Sequence, residues 1–464
     1  MDTVKDLIAQ IDELFHARSV AVVGVPRGMK TGKIFLTALL DQGYRGKIYP
    51  VNPNASEIDG IKSYPSVSDI PGEVDLAIVL VPHHRSLKVV QECAQKGVKG
   101  AVLFTAGFSE TGTDEGWALE DELVRVARAA SMRLIGPNGM GLYSPKTGLS
   151  FYPEVSKKTG PVGMISHSGS LTNILGIIGG QKGVHFSKVI SSGNDCDLTA
   201  ADFFTYLEHD RDTRIIGAYI EGIKNGPYFL DALRKASLKK PVIMWKVGLT
   251  PEGSRASASH TGAMAGSHEI WQGVLRQTGV VPVVGFEAFL DALMGFCSFP
   301  SNLGKRMAII SGPGGLAVSA AEACGWEGLL LADMLPQTRS ELAGLISYSG
   351  TSLRNPIDVS ISAHFEIEIF TRTARIVAAD PRVDAIIVIG CGFTPEDNRI
   401  YTDGLIDVFQ EHKKPILAVK IPGYDTKLAQ KLCESGVPFF DSTERAVHTY
   451  ALAVRYQTWL RKRS

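Results

Sequence analysis

The chain has 464 residues, 44% hydrophobic and 21% charged, with 48 Lys plus Arg against 48 Asp plus Glu. That length suits about three domains of ordinary size, and the zero net charge excludes a global positive field for nucleic acid or anionic membrane. No stretch reaches the ~18 consecutive apolar residues of a membrane span, so a cytoplasmic protein is expected, with neither nucleic acid nor membrane as partner.

The opening segment, MDTVKDLIAQIDELF, reads as an acidic amphipathic helix. A signal peptide would need a basic start and an apolar centre. Strand-length apolar runs then alternate with amphipathic helical stretches, the pattern of parallel α/β domains. SVAVVGV (19–25), KIYPVN, VDLAIVLV, GAVLFT and RLIGPN form a Rossmann-like order over 1–145. SPKTGLSFYPEVSKKTG (144–160) has the Pro, Gly and Ser content of a linker. A second α/β block over 155–298 holds PVGMISH (161–167), SKVISSG, RIIGAYIEG (214–222) and PVIMWKVG (241–248). A third, over 303–464, holds RMAIISGPGG, DAIIVIGCG (384–392), PILAVKIP (415–422), VPFFDS and a last helix with basic residues in its final turn. The six cysteines are scattered without a C-x-x-C and read as reduced core residues.

Three strand-to-helix turns carry glycine or serine where free helix-start N–H groups bind anions. The first, GVPRGMKTGK (24–33), is neither a Walker A loop nor a clean G-x-G-x-x-G. Arg27, Lys30 and Lys33 add positive charge, so it reads either as a polyphosphate site or as a plain Rossmann turn with solvated basic residues. The second, ISHSGSLTN (165–173), offers Ser168, Gly169 and Ser170 at a helix start. Ser166 and Ser170 occupy the glycine positions of a nucleophile elbow, which argues against a serine hydrolase. The third, SGPGGLAV (311–318), either binds an anion or lets a helix pack closely on its strand.

One histidine, His260, sits among small residues in SRASASHTGAMAG (254–266), a composition that suits a loop other groups approach closely. Neutral imidazole is a competent nucleophile near pH 7, so His260 reads as a covalent phosphate carrier or as a loop histidine. A carboxylate holding the second ring nitrogen would fix its tautomer. Glu221, ending RIIGAYIEG at the C-terminal strand edge, is the expected partner. No H-x-x-x-H or H-E-x-x-H spacing appears, and no metal site is expected.

Several segments together carry a resemblance over nearly the whole chain: VAVVGV, KIYPVNPN with GIKSYPSV, LVP (80–82), FTAGFSETG (104–112), IGPNGMGLYSP (135–145), GPVGMISHSGSLT (160–172), SSGNDCDLTAAD (191–202), YIEGI, RASASHTGAMAG and NPIDVS (355–360). The chain resembles the alpha subunit of ADP-forming acetyl-CoA synthetase, and more distantly that of succinyl-CoA synthetase. The resemblance implies an α/β fold with an N-terminal Rossmann-like CoA-binding domain followed by two flavodoxin-like α/β domains. It implies coenzyme A over Gly24, Val25, Pro26, Arg27, Asn52, Pro53, Asn54, Val81, Pro82, Thr105, Ala106 and Gly107, with Lys33 adding charge at the first turn. His260 matches the phosphorylated histidine, Glu221 the glutamate that orients it, and Ser168 to Ser170 the phosphate-binding helix start. The implied reaction is reversible: acyl-CoA, NDP and phosphate give acid, CoA and NTP through acyl phosphate and phosphohistidine. Helix N-termini and Mg2+ are expected to stabilise the transferring group.

Two positions depart from that pattern: Asn54 stands where Lys is common, and His167 where Gln or Arg is expected. No ATP-grasp part is apparent in the sequence, so ATP or ADP and Mg2+ are expected to bind largely through a separate ATP-grasp beta subunit in a heterotetramer. The rival readings are a non-catalytic CoA- or acyl-CoA-binding protein of the same fold, a different CoA-ligase chemistry on the same scaffold such as a carbon–carbon lyase of the citryl type, and an NAD(P)-dependent oxidoreductase. The last lacks the acidic ribose-binding residue after its second strand, where Asn52, Pro53 and Asn54 stand.

Overall fold

The computed structural model describes residues 3–261, 267–346, 352–360, 363, 365–422 and 424–463. They form three largely parallel sheets in two compact units, one of residues 1–180 and 185–284, the other of 181–184 and 285–464.

The chain enters through α1 (Val4–Phe15), whose Thr3 and Asp6 form a capping box and whose Leu7, Ile11, Leu14 and Phe15 are buried. The first sheet runs β2-β1-β5-β6-β7, from β1 (Ser19–Val23), β2 (Lys47–Val51), β5 (Leu76–Val79), β6 (Gly100–Leu103) and β7 (Arg133–Ile135). A small hairpin, β3 (Glu57–Ile58) and β4 (Ile61–Lys62), stands apart from it. Strands β1, β5 and β6 are buried along their whole length, as a parallel sheet covered on both faces requires. The connecting helices are α2 (Lys33–Asp41), α3 (His83–Lys96) and α4 (Asp114–Ala129). Strand order reverses at β1, between β2 and β5, where ligands bind such sheets at the carboxyl ends of the strands.

The second sheet runs β13-β12-β11-β9-β10-β8. Its members are β8 (Gly141–Tyr143), β9 (Val162–Ser166), β10 (Phe186–Ser191), β11 (Ile215–Ile220), β12 (Val242–Lys246) and β13 (Val281–Pro282). Helices α5 (Gly169–Gln181), α6 (Ala200–His209), α7 (Gly226–Lys239), α8 (Pro251–Thr261) and α9 (His268–Thr278) connect them. Strand β8 leaves the first sheet's terminal turn and pairs antiparallel with β10. The stretch 144–160 is packed, with Leu149, Phe151 and Val155 buried.

The seam between these two sheets is tight. Asn194 N–H donates to Pro137 O at 3.0 Å, Cys196 N–H to Gly136 O at 3.0 Å, and Leu198 N–H to Leu134 O at 3.2 Å. Gly193 has φ +57, and a Cβ there would lie 2.1 Å from Pro137 O.

The second unit holds β14 (Arg306–Ser311), β15 (Leu330–Leu331), β16 (Ile357–Asp358), β17 (Ala385–Ile389), β18 (Ile416–Val419) and β19 (Phe439–Phe440). The sheet order is β15-β14-β17-β18-β19, with β16 also paired to β14. Around it lie α10 (Phe286–Ser298), α11 (Gly314–Trp326), α12 (Pro336–Leu345), α13 (Glu368–Ala379), α14 (Pro395–His412), α15 (Thr426–Glu434) and α16 (Thr443–Arg461). Helix α10 belongs to this unit because it packs on α16, with Arg445 bonded to Asp291 and Glu287.

No described helix is long and apolar enough to cross a membrane.

Candidate active site

At the carboxyl edge of the first sheet, four of the sequence-nominated segments are knit together. Gly24 N–H donates to Val51 O at 2.9 Å, and Asn52 Nδ2 donates to Val25 O at 2.8 Å. Asn54 N–H donates to Asn52 Oδ1 at 2.8 Å, and Thr105 Oγ1 donates to Val81 O at 2.6 Å. These bonds tie the end of β1 to that of β2 and the end of β5 to that of β6, and Leu80 N–H, donating to Val23 O at 2.8 Å, joins the two pairs into one rim. Gly24 is needed there: its φ is +91, and an added Cβ would touch Val81 at 3.0 Å. Gly107, at φ +113, sits against the ring of His83, 2.6 Å from where its Cβ would stand.

The basic residues of the first turn behave differently from one another. Arg27 and Lys30 are exposed. Lys33 is buried, with its ammonium 2.7 Å from Asp59 Oδ1, so its charge is already countered within the protein. The solvent-facing cations of this turn are Arg27 and Lys30.

Behind Gly107 lies a carboxylate network that sequence reasoning did not anticipate. Glu110 accepts from the N–H groups of Gly107 at 2.5 Å and Phe108 at 3.2 Å. Buried Glu120 accepts from Ser109 Oγ at 2.6 Å, Asn194 Nδ2 at 3.2 Å and Lys224 Nζ at 3.0 Å. Asn194 and Lys224 come from the second sheet's connections, so the loop after β6 is held by both halves of the unit.

At the carboxyl edge of the second sheet, β11 lies between β9 and β12. Glu221 follows β11 directly and is buried. The turn after β9 carries His167 and then Ser168, Gly169 and Ser170, which open α5. Ser166 Oγ accepts from Ser168 N–H at 3.1 Å, and Ser168 Oγ accepts from Leu171 N–H at 3.4 Å, which orders this helix start. The remaining first-turn N–H groups and the helix dipole favour an anion.

His167 is buried. Its Nδ1 accepts the main-chain N–H of Glu221 at 3.2 Å, and its Nε2 lies 3.2 Å from Asp195 Oδ2. Burial opposes charge on the ring, and Asp195 and then Glu221 outweigh it, raising the imidazole above its ordinary value. Burial likewise works on Asp195, and the His167 ring with the Ser192 and Ala200 hydrogen bonds pulls its carboxyl below the ordinary value.

Lys246, the last residue of β12, is, like Asp195, a residue beside Glu221 and His167 that sequence reasoning missed. Its signal was present: it is the one charged residue within the apolar run PVIMWKVG. Its Nζ donates to Glu221 O at 2.9 Å and to Val247 O, and stands 5.2 Å from the Trp271 ring centre. Burial pushes its pKa down to about 8, against the pull of Glu221.

The segment 254–261, expected as a loop, is instead the body of α8. Thr250 starts it, accepting from Gly253 N–H at 3.0 Å through its hydroxyl. Small size does not prevent a helix: Ala is the strongest helix former, and Ser and Thr cost a helix interior little. His260 lies in the last turn of α8; its side chain and residues 262–266 fall outside the described residues. Gly248, at φ +77, separates α8 from the Glu221 turn: a Cβ there would lie 3.5 Å from Ser257 and 3.8 Å from Glu221 O. Helix α8 also packs on the 3-10 turn Ser109–Thr111, which follows the Thr105 to Gly107 rim.

The third glycine turn opens α11, and Asp358 Oδ2 lies 3.4 Å from where a Gly314 Cβ would stand. Among the described residues no group of three or more His, Cys, Asp or Glu is placed to hold a metal ion.

Residues 18–145 match the family model of a CoA binding domain, and residues 159–296 that of a succinyl-CoA ligase like flavodoxin domain. The chain is 38% identical to subunit alpha of the ADP-forming acetate–CoA ligase II of Pyrococcus furiosus, covering 95% of this chain and 97% of that one. It is 34% identical to subunit alpha of ligase I of the same organism, covering 97% and 99% respectively. It superimposes on the dinucleotide-forming acetyl-coenzyme A synthetase 1 of Candidatus Korarchaeum cryptofilum, in complex with phosphate and ADP, with a TM-score of 0.85 at 31% identity, covering 96% of this chain and 97% of that one. Fold and relatives together define an acid–thiol ligase of the NDP-forming acyl-CoA synthetase class. Within that class the chain belongs to the family of ADP-forming acetate–CoA ligase alpha subunits.

Proposed function

We propose that this chain is the CoA-binding, histidine-phosphorylated half of its synthetase, with His260 as the phosphoryl carrier. The observation that carries the reading is the placement of Glu221, buried at the carboxyl edge of the second sheet beside the turn that opens α8, the helix that bears His260 and packs on the loop after Thr105 to Gly107. A phosphoryl carrier must visit both an acyl-CoA site and a nucleotide, and this helix starts beside the first.

Residues 1–145 bind coenzyme A along the rim of Gly24 to Arg27, Asn52 to Asn54, Val81 to Pro82 and Thr105 to Gly107. Residues 155–298 carry the phosphohistidine machinery, apart from α10, which packs in the second unit, and 303–464 form a further flavodoxin-like domain. Phosphate attacks the acyl-CoA carbonyl and displaces the CoA thiolate, giving acyl phosphate. An imidazole nitrogen of His260 then attacks phosphorus, and the carboxylate leaves. NDP finally takes the phosphoryl group and frees the imidazole. Glu221 accepts from the second ring nitrogen and steadies the positive charge that develops there. The helix start at Ser168, Gly169 and Ser170 holds the phosphoryl oxygens. An ATP-grasp partner subunit supplies the nucleotide and Mg2+, in a cytoplasmic heterotetramer. The acid is a small carboxylic acid.

The test is to purify the chain with its partner, incubate with radiolabelled Mg·ATP and look for acid-labile phosphate on this subunit. His260→Ala is expected to abolish the label and ATP-dependent CoA thioester formation while CoA binding persists. Label that survives in His260→Ala refutes the assignment. A panel of short, branched and aryl acids then identifies the acyl substrate.

A further inference from the structure

Glu221 is gripped through its main chain from both neighbouring strands. On one side, the turn after β9 presents His167, whose Nδ1 accepts Glu221 N–H at 3.2 Å. On the other, the end of β12 presents Lys246, whose ammonium donates to Glu221 O at 2.9 Å. Each gripping side chain is itself anchored. Asp195 stands 3.2 Å from His167 Nε2 and also accepts Ala200 N–H at 2.7 Å, tying the ring to the start of α6. Lys246 also donates to Val247 O and sits against the Trp271 ring of α9.

Two buried ionisable side chains are an expensive way to hold one peptide unit. Ordinary sheet hydrogen bonds already fix β11, since Val247 N–H donates to Ile220 O and His167 N–H to Tyr219 O. The extra grip begins where the strand ends, at the one residue whose carboxylate must be aimed.

We propose that His167 and Lys246 are positioning residues that clamp the Glu221 main chain from both sides and so aim its carboxylate at the phosphoryl-carrying histidine. This rests on the reading that Glu221 orients His260. The clamp has a defined protonation state. Nδ1 of His167 must be unprotonated to accept the Glu221 N–H, which leaves the ring proton on Nε2, facing Asp195. Lys246 must be an ammonium to hold two carbonyls and the aromatic face together. The groups facing His167 are Asp195, Glu221 and Lys246; those facing Lys246 are Glu221, His167 and the Trp271 ring. Alkali above about 8 discharges Lys246, so phosphorylation is expected to fall as the pH rises past that value.

The test uses the assembled enzyme and radiolabelled Mg·ATP, scoring the initial rate of acid-labile label against the KM for CoA. Lys246→Met and His167→Leu are expected to slow labelling about ten- to a hundredfold, the cost of a misplaced catalytic group, with the KM for CoA nearly unchanged. Lys246→Arg keeps a charge that does not titrate, so it should restore most of the rate and remove the alkaline limb. His167→Asn puts an amide oxygen near the place of Nδ1 and should restore what His167→Leu loses. Wild-type rates in Lys246→Met and His167→Leu, with a label that still depends on His260, overturn the clamp alone. So does failure of both conservative variants to restore the rate. A wild-type label that does not depend on His260 overturns the phosphohistidine reading and the clamp with it.

Discussion

Arg133 and Asp197 join the two sheets of the N-terminal unit through a buried pair. Arg133 Nε donates to Asp197 Oδ2 at 2.9 Å, and Asp197 also accepts Leu134 N–H at 2.9 Å. The Asp197 carboxylate is fully buried, and Arg128, mostly exposed, adds a third contact at 2.9 Å. Removing one member of a buried pair strands the other, at about 3–5 kcal/mol. Asp197→Ala should lose about that much stability in the first unfolding transition in urea. Arg128→Ala, whose contact lies in water, should cost no more than about 1 kcal/mol. Equal losses would mean the pair is not the joint.

Gly193 tests the same seam by shape. Its φ of +57 disfavours any side chain, and a Cβ would stand 2.1 Å from Pro137 O, a main-chain atom that cannot swing aside. Gly193→Ala should cost at least about 3 kcal/mol, read as a lowered urea midpoint.

Gly107 tests the proposed CoA rim. Here the obstacle is the exposed His83 ring, 2.6 Å from the would-be Cβ, together with a φ of +113. Gly107→Ala should raise the KM for CoA about tenfold, through about 1–3 kcal/mol of local strain, and leave the acid-labile label formed from Mg·ATP near its wild-type level. His83→Ala in the same chain relieves the clash but not the strained φ, so it should recover part of the affinity. Loss of labelling together with CoA affinity would place this loop at the phosphoryl step instead.

Lys246 links activity to stability through pH. Its folded pKa is about 8 against an ordinary 10.5. Between those values the unfolded chain keeps the proton that the folded chain has released, so stability rises with pH across this window. Comparing wild type with Lys246→Met in urea at pH 7.5 and pH 10 should isolate a gain on the order of 2 kcal/mol. An identical pH slope in both proteins would show that the ammonium is not destabilised by its burial.

Part of the site is legible in the order of residues alone. Glu221 ends an apolar strand, and the carboxyl edge of a parallel sheet is where ligands bind. Ser168 to Ser170 begin a helix directly after a strand, which the apolar run ahead of them reveals. The misreading of 254–261 as a loop came from composition: small residues are compatible with loops and with helices, and the helix over Pro251–Thr261 is settled by its Thr250 start and its packing. The charge of Lys33 could be counted in the sequence, but its pairing with Asp59 could not, because the two come from different connections around the first sheet.

What the sequence determined by itself was the alternation of apolar strands and amphipathic helices, hence parallel α/β sheets, and the kinds of residue that stand at the strand ends. Periodicity is local, so it can be read along the chain. What only the tertiary structure decided was which strand ends meet. The order β12-β11-β9 sets Lys246, Glu221 and His167 side by side although they lie 25 and 54 positions apart. Parallel strands join through crossovers that carry no register in their sequence, so neighbours in the sheet are chosen by packing of the whole unit.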